Sequence, residues 1–349
     1  MLDISERRRN LLGEMLGQPF PRLWCPPLTH YTTRVEIDQD RMSAHWGFMA
    51  PHVNAFLVPG STGDAWEMSN AEVQDLIDLA LKLAADWNTI LLIGVLKDDA
   101  LATRQGISEL LSMLKRKTGK DDPFEAMKAG RVCGFTICPP RGSQLTQDKI
   151  EAELESVLEL TLPIVLYQLP QVTENEMSPS LVGQLADRYP NLMFLKDSSG
   201  EDRVALEADP RSSPFLLRGA EGDYAQWLQE SGGPYHGLLL STANCFPRHL
   251  KRIVALLEEG RGDEATALSD RLTQVVEQVF ALVTDMPDGN AFSNANKAVD
   301  HYMAFGADAR LIPPPMLHAG TPIPKGVIQQ VGDVLESAEL IPVTGYMNQ

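Results

Sequence analysis

The stretch Asn191-Leu192-Met193-Phe194-Leu195-Lys196-Asp197-Ser198-Ser199-Gly200 sets four apolar residues directly before an amine, with polar and glycine residues after it. It reads as a buried strand that ends in Lys196 and is followed by a turn. Desolvation disfavours the charged form of a buried amine. A neutral amine can attack a ketone and form a Schiff base. The competing reading is an ordinary strand-end lysine paired with its neighbour Asp197. The segment alone leaves both readings open, because a buried lysine marks a functional site only in a fraction of cases.

Outward from this strand, short apolar runs alternate with helical patterns. Runs at 22–25, 55–59, 89–95, 134–138, 163–167, 192–196, 215–218 and 237–241 predict eight strands. Their continuous apolar character is expected of parallel strands covered on both faces. Ser69-Asn70-Ala71-Glu72 is a capping-box pattern that opens a helix through Ala85. Residues 100–117, 148–160, 178–187 and 247–259 carry helical periodicity. Strands with interleaved helices predict an α/β fold, a (β/α)8 TIM barrel, with an open doubly wound sheet as the alternative. The barrel and its N-terminal lead-in span 1–260, with a polar stretch at 118–131 read as a surface insertion. Residues 261–349 continue as helical patterns at 263–284, 295–305 and 325–338, broken by Ile312-Pro313-Pro314-Pro315. They predict a C-terminal helical extension.

Composition narrows the partners. The 349 residues carry 30 basic and 47 acidic side chains, a net charge of −17. That balance disfavours nucleic acid and anionic membrane. No run of eighteen apolar residues occurs, and the first sixteen residues lack the apolar core of a signal peptide. A cytoplasmic protein is expected. Cys25, Cys133, Cys138 and Cys245 form no C-x-x-C pair and read as reduced core thiols, so no metal is expected. No dinucleotide fingerprint or Walker loop is present, so no cofactor is expected.

Barrel active sites lie at the C-terminal ends of the strands. Several candidates fall there. Gly60-Ser61-Thr62-Gly63-Asp64 follows the second strand. Its glycines let the backbone approach a ligand, and its amides and hydroxyls can hold a carboxylate; such a loop can also be a plain turn. Tyr167 ends the fifth strand, where a phenol can shuttle protons or simply pack its ring. Lys196 ends the sixth strand and Ser241 the eighth, with Asn244 shortly after. If these positions converge, the lysine forms an imine, the tyrosine moves a proton and the loop holds the carboxylate of a keto acid. The iminium is an electron sink for a carbon–carbon bond β to it.

From about Leu23 to Pro247 these residues resemble the dihydrodipicolinate synthase / N-acetylneuraminate lyase family of Schiff-base class I aldolases. Gly60-Ser61-Thr62-Gly63-Asp64 resembles the family's G-T-T-G-E, and Tyr167-Gln168-Leu169-Pro170 its Y-N-x-P. Lys196-Asp197-Ser198-Ser199-Gly200 matches K-D-S-S-G, and Gly237 through Asn244 with Pro247 resembles G-x-I-S-x-x-x-N-x-x-P. The resemblance implies a barrel with a C-terminal helical extension. It implies Lys196 as imine-forming residue, Tyr167 as proton shuttle, and Ser61 and Thr62 as carboxylate and relay contacts. Lys196, Tyr167 and Thr62 are therefore the catalytic candidates, and Gly60, Ser61, Thr62 and Ser241 the substrate-binding ones. The implied partner is a small 2-oxo acid, pyruvate or a 2-keto-3-deoxy acid, bound by a homo-oligomer, a tetramer or dimer. The imine takes the place of a metal as electron sink.

The departures are equally specific. The synthase carries an arginine two residues after the proline of Y-N-x-P, where this chain has Val172. It carries a tyrosine shortly after the fourth strand, where this chain reads Cys138-Pro139-Pro140-Arg141-Gly142. Arg141 either turns inward to an acidic substrate group or is solvated. The expected function is a lyase or aldolase of the dihydrodipicolinate synthase type. Its alternatives are a 2-keto-3-deoxy sugar acid dehydratase, a true 4-hydroxy-tetrahydrodipicolinate synthase, and a non-catalytic keto-acid-binding member.

Overall fold

A computed structural model of the chain describes residues 3–17, 19–209 and 213–348. Its strands are β1 (Leu23–Trp24), β2 (Ala55–Val58), β3 (Ile90–Gly94), β4 (Val132–Ile137), β5 (Ile164–Gln168), β6 (Leu192–Asp197), β7 (Phe215–Arg218) and β8 (Gly237–Leu239). They form one eight-stranded sheet in the order β1-β8-β7-β6-β5-β4-β3-β2. A parallel bridge between Cys25 and Phe56 brings the two ends of that order together. The fold is a nearly closed (β/α)8 barrel, and the open-sheet alternative is set aside. Every residue of β2, β4, β5, β6 and β8 is buried. Burial on both faces explains why these strands read as unbroken apolar runs.

The helices in chain order are α1 (Ile4–Leu16), α2 (Gln39–Met49), α3 (Asn70–Asp86), α4 (Ala100–Thr118), α5 (Pro123–Ala129), α6 (Gln147–Leu158) and α7 (Pro170–Thr173). They continue as α8 (Pro179–Arg188), α9 (Arg203–Glu207), α10 (Pro247–Glu258), α11 (Gly262–Val283), α12 (Ala291–Phe305) and α13 (Lys325–Ser337). The described chain divides into two compact units. One comprises Met1–Arg22, Asn88–Ala220 and Trp227–Leu239; the other comprises Leu23–Trp87, Glu221–Gln226 and Leu240–Gln349.

The first unit holds β3 to β8. Parallel register pairs Tyr167 with Lys196, and Lys196 with Leu217. Residues directly paired across a sheet project to the same face, so the phenol and the amine leave adjacent strands side by side. Arg8 of α1, 3% exposed, secures the start of β6 by donating from Nε to the Leu192 carbonyl at 2.7 Å. The 118–131 stretch, expected as surface polar chain, contains α5. Asp122 caps it, Pro123 occupies its first turn, and Ala126 and Met127 are buried. Seven residues give too short a period to stand out among charged neighbours.

In the second unit the Ser69 capping box forms as expected: its hydroxyl accepts from the Glu72 amide, and its own amide donates to Glu72 Oε2 at 2.8 Å. α2 lies outside the expected helices. Its buried Met42, Trp46 and Met49 follow an i, i+4, i+7 spacing behind the Asp38 cap, so the signal was present. α11, α12 and α13 supply the expected C-terminal helices. No helix among the described residues is long and apolar enough to cross a membrane. All four cysteines are buried free thiols.

Candidate active site

In the first unit, Lys196 is 3% exposed and Tyr167 is 3% exposed. Lys196 Nζ lies 3.9 Å from the centroid of the Tyr167 ring. Among the described residues the amine has no hydrogen bond and no ion pair, and the Tyr167 hydroxyl has no hydrogen bond. Buried polar groups in folded proteins are nearly always bonded. The amine and the phenol nonetheless stand uncommitted on adjacent strand ends.

The expected competitor, a Lys196–Asp197 pair, does not form. Alternation along β6 sends the two side chains to opposite faces. Asp197 Oδ1 instead accepts from the Ser199 amide at 2.9 Å and the Ser199 hydroxyl at 2.7 Å, while Oδ2 has no partner among the described residues. Burial pushes the Asp197 carboxyl above its usual range, helped by the charges of Asp202 and Glu176.

The surroundings of the amine are neutral and tight. Cys138 is buried, and desolvation pushes its thiol up while Lys196 pulls it back. That makes Cys138 a wall rather than a nucleophile. Thr136, on the same face two residues earlier, is fully buried and its hydroxyl has no partner. Gly219 closes the other side. A Cβ there would stand 2.8 Å from Lys196 Cε and 2.1 Å from Ser198 Oγ. A side chain there would force the lysine stem and the Ser198 hydroxyl to shift. Arg141 does not turn inward: it pairs with Glu174 at 2.9 Å, both about half exposed.

In the second unit, Ser61–Gly63 form a 3-10 turn behind Gly60, whose carbonyl accepts from the Gly63 amide at 2.9 Å and the Ala65 amide at 3.2 Å. Gly63 is required by close approach, since a Cβ would come within 2.6 Å of the Pro27 carbonyl oxygen. The amides of Ser61 and Thr62 and the Thr62 hydroxyl have no partner among the described residues. Ser61 Oγ accepts from Trp66 Nε1 at 3.0 Å and still has its proton to donate. This loop therefore presents donors for an anion.

The turn is anchored by Asp64, whose Oδ2 accepts from Lys297 Nζ at 2.7 Å and from the Tyr31 hydroxyl at 3.0 Å. Lys297 of α12 is 1% exposed and lies over the Tyr31 ring at 4.6 Å. Burial and the Asp64 charge push the Tyr31 phenol well up, so it stays a donor. Removing one partner of a buried pair strands the other. Asp64→Asn should cost about 3–5 kcal/mol, read as a lower urea midpoint with an unchanged m-value.

Ser241 is more committed than its motif suggests. Its hydroxyl donates to Glu221 Oε1 at 2.6 Å and accepts from Asn296 Nδ2 at 2.9 Å. Glu221 also collects the Thr242 amide at 3.0 Å, the Thr242 hydroxyl at 2.7 Å and the Tyr224 hydroxyl at 3.1 Å. Asn244 ties the backbone together, bonding the Pro26 and Ser241 carbonyls and the Leu28 amide. Neither Glu221 nor Lys297 was singled out in the sequence, because each lies far along the chain from its partners.

His30, His45 and Asp300 place three possible metal-ligand atoms within 4.8 Å of one another. They are bonded to protein groups already. His30 Nε2 and His45 Nδ1 share a hydrogen bond of 3.0 Å, and Asp300 takes Arg41 at 2.6 Å and the Tyr346 hydroxyl at 2.9 Å. Desolvation, then the Arg41 charge, keeps His30 well below its ordinary value. The cluster ties α2 and α12 to the C-terminal residues.

The fold is a (β/α)8 barrel with C-terminal helices. A model of the dihydrodipicolinate synthetase family matches residues 125–289. The 4-hydroxy-tetrahydrodipicolinate synthase of Agrobacterium fabrum is 25% identical over 256 residues, covering 72% of this chain and 80% of that one. The enzyme of the same name from Erwinia tasmaniensis is 27% identical over 241 residues, covering 68% and 75%. Among solved structures, an Escherichia coli K12 prophage protein of the dihydrodipicolinic acid synthase family, in complex with pyruvate, superposes with a TM-score of 0.72. It is 19% identical, and the match covers 92% of this chain and 99% of that one. Over residues 125–289 the chain is thus similar to the dihydrodipicolinate synthetase family, and its fold is that of the structures it superposes on.

Proposed function

We propose that this chain is a Schiff-base-forming aldolase or lyase acting on a 2-oxo acid. The observation that carries the reading is the buried, uncommitted Lys196 amine over the Tyr167 ring. In the proposed cycle Lys196 Nζ attacks the keto carbon, and the resulting carbinolamine loses water to give the iminium. Tyr167 gives its proton to the departing carbinolamine hydroxyl; in the cleavage direction the resulting phenolate takes the proton of the 4-hydroxyl as the C3–C4 bond breaks. Its electrons pass into the iminium to leave an enamine and an aldehyde. Protonation at C3 and hydrolysis then return pyruvate and the free amine. Thr62 relays the proton, and Gly60, Ser61, Thr62 and Ser241 bind the substrate.

Sodium borohydride with pyruvate tests the reading. A pyruvate-derived mass increment on the Lys196 peptide is expected. Absence of any adduct, with longer 2-oxo acids also failing, would leave a binding role only. Tyr167→Phe should still trap pyruvate but turn over about 10²–10⁴-fold more slowly, as seen in steady-state kinetics; unchanged turnover would remove Tyr167 from the mechanism.

The names of the relatives favour a second reading, a true 4-hydroxy-tetrahydrodipicolinate synthase. Val172 stands where that enzyme's carboxylate-binding arginine is expected, and Arg141 is held by Glu174. We therefore assign an uncharged aldehyde or sugar-acid tail as the preferred second half of the substrate. Product analysis separates the outcomes: pyruvate plus aldehyde for cleavage, a deoxy-oxo acid for dehydration, and a cyclic condensation product for the synthase. A cytoplasmic homo-oligomer, tetramer or dimer, completes the proposal; sedimentation tests its assembly.

A further inference from the structure

We propose that Arg218, acting through Asp202 and Tyr235, is a positioning residue for the Lys196 amine; the inference rests on the Schiff-base reading above. Arg218 ends β7 and is 5% exposed, with its guanidinium 4.5 Å from the Trp227 ring centroid. It grips Asp202 with two nitrogens, Nε to Oδ1 at 3.2 Å and Nη2 to Oδ2 at 3.3 Å, and gives Nη1 to the Ala220 carbonyl at 2.9 Å. Tyr235 adds its hydroxyl to Asp202 Oδ1 at 2.5 Å. Burial, then the Asp197 charge and the bond to Asp202, raises that phenol well above its ordinary value, so it remains a donor.

Asp202 is fully buried and sits in the left-handed region with φ of 55°. Aspartate tolerates that conformation better than most non-glycine residues, and here its side chain is bonded to Arg218 and Tyr235. Asp202 is also the far end of the loop that Lys196 begins. Asp197 Oδ1 binds Ser199, and Ser199 Oγ accepts the Asp202 amide at 3.3 Å. At the near end, the Gly219 amide donates to the Asp197 carbonyl at 2.6 Å, and Gly219 faces the Lys196 stem. Arg218 and Gly219 are adjacent in sequence, so one segment of β7 holds the loop at both ends. Arg218 does not touch the amine. It fixes the backbone from which the amine projects, and a small displacement of a reacting group is costly in rate.

The test uses the full chain and two readouts. The first is the rate of borohydride trapping with pyruvate for Arg218→Met, Tyr235→Phe and Arg218→Lys, corrected for folded fraction by circular dichroism. The second is the pH dependence of acetylation of the Lys196 peptide by acetic anhydride, read by mass spectrometry against other lysines. Arg218→Met is expected to slow trapping about tenfold and to shift the acetylation profile, in keeping with misplacement of a reacting group. Tyr235→Phe is expected to do so less, and Arg218→Lys to recover part of the loss. Wild-type trapping rate and an unmoved acetylation profile in the folded variants would overturn the proposal and leave a stability role. If wild-type protein traps no keto acid, the Schiff-base reading fails; the acetylation profile then decides the positioning claim separately. Should Arg218→Met not fold, Tyr235→Phe, which keeps the ring packing, carries the same decision.

Discussion

Lys196→Ala gives no borohydride-stable adduct with pyruvate and loses turnover by about 10³-fold or more, because the covalent route has no other nucleophile. Lys196→Arg does the same: a guanidinium stays protonated and offers no lone pair. The geometry makes this a clean experiment. The amine holds no carboxylate and no carbonyl in place, so its loss leaves no stranded partner behind. Lys297 is as deeply buried, yet it is bound to Asp64 at 2.7 Å and is not expected to substitute. Both variants should therefore remain folded, with a modest loss of stability from the cavity in alanine and overpacking in arginine, while losing chemistry. An adduct of undiminished yield in Lys196→Ala would show that another lysine carries the imine, and peptide mapping would name it.

Gly219→Ala is the second large effect, and it separates position from presence. The added methyl would stand 2.8 Å from Lys196 Cε, 2.1 Å from Ser198 Oγ and 3.2 Å from the Asp197 carbonyl oxygen. The backbone cannot easily yield, because the Gly219 amide is tied to that same carbonyl at 2.6 Å. Overpacking of this kind costs about 1–3 kcal/mol, and misplacing the amine costs about 10²-fold in rate. Turnover should fall much further than the loss of stability accounts for. Gly183→Ala serves as control: this position in α8 has open space around a Cβ, and alanine there should add about 0.5–1 kcal/mol of stability. If the Gly219 variant turns over at the wild-type rate, Lys196 is not confined as the structure implies.

Much of this was legible in the chain. Eight apolar runs became eight strands, with ends shifted by a residue or two. β8 stops at Leu239 because Ser241–Asn244 turns at once into a 3-10 helix. Hydrophobic period reports burial of a face, not where hydrogen bonding ends. Lys196, Tyr167 and the Ser61–Thr62 turn became candidates from local spacing and from the motifs that spacing resembles, and the structure places Lys196 and Tyr167 on adjacent strands. The segment at 118–131 misled because charge dominated its composition while two residues, Ala126 and Met127, carried its packing.

By itself, then, the sequence determined the barrel class and the identity of the candidate nucleophile, since strand periodicity and a short motif are both local. The tertiary structure alone decided that Lys196 has no ionic partner among the described residues and that Arg141 belongs to Glu174. It also decided that Gly219 makes room for the amine and that Arg218 holds Asp202. Those are facts about which groups meet across 16 to 33 positions of chain. Side-chain commitments at such separations are settled by packing and by competition for hydrogen bonds in a desolvated interior, and no local pattern encodes the outcome.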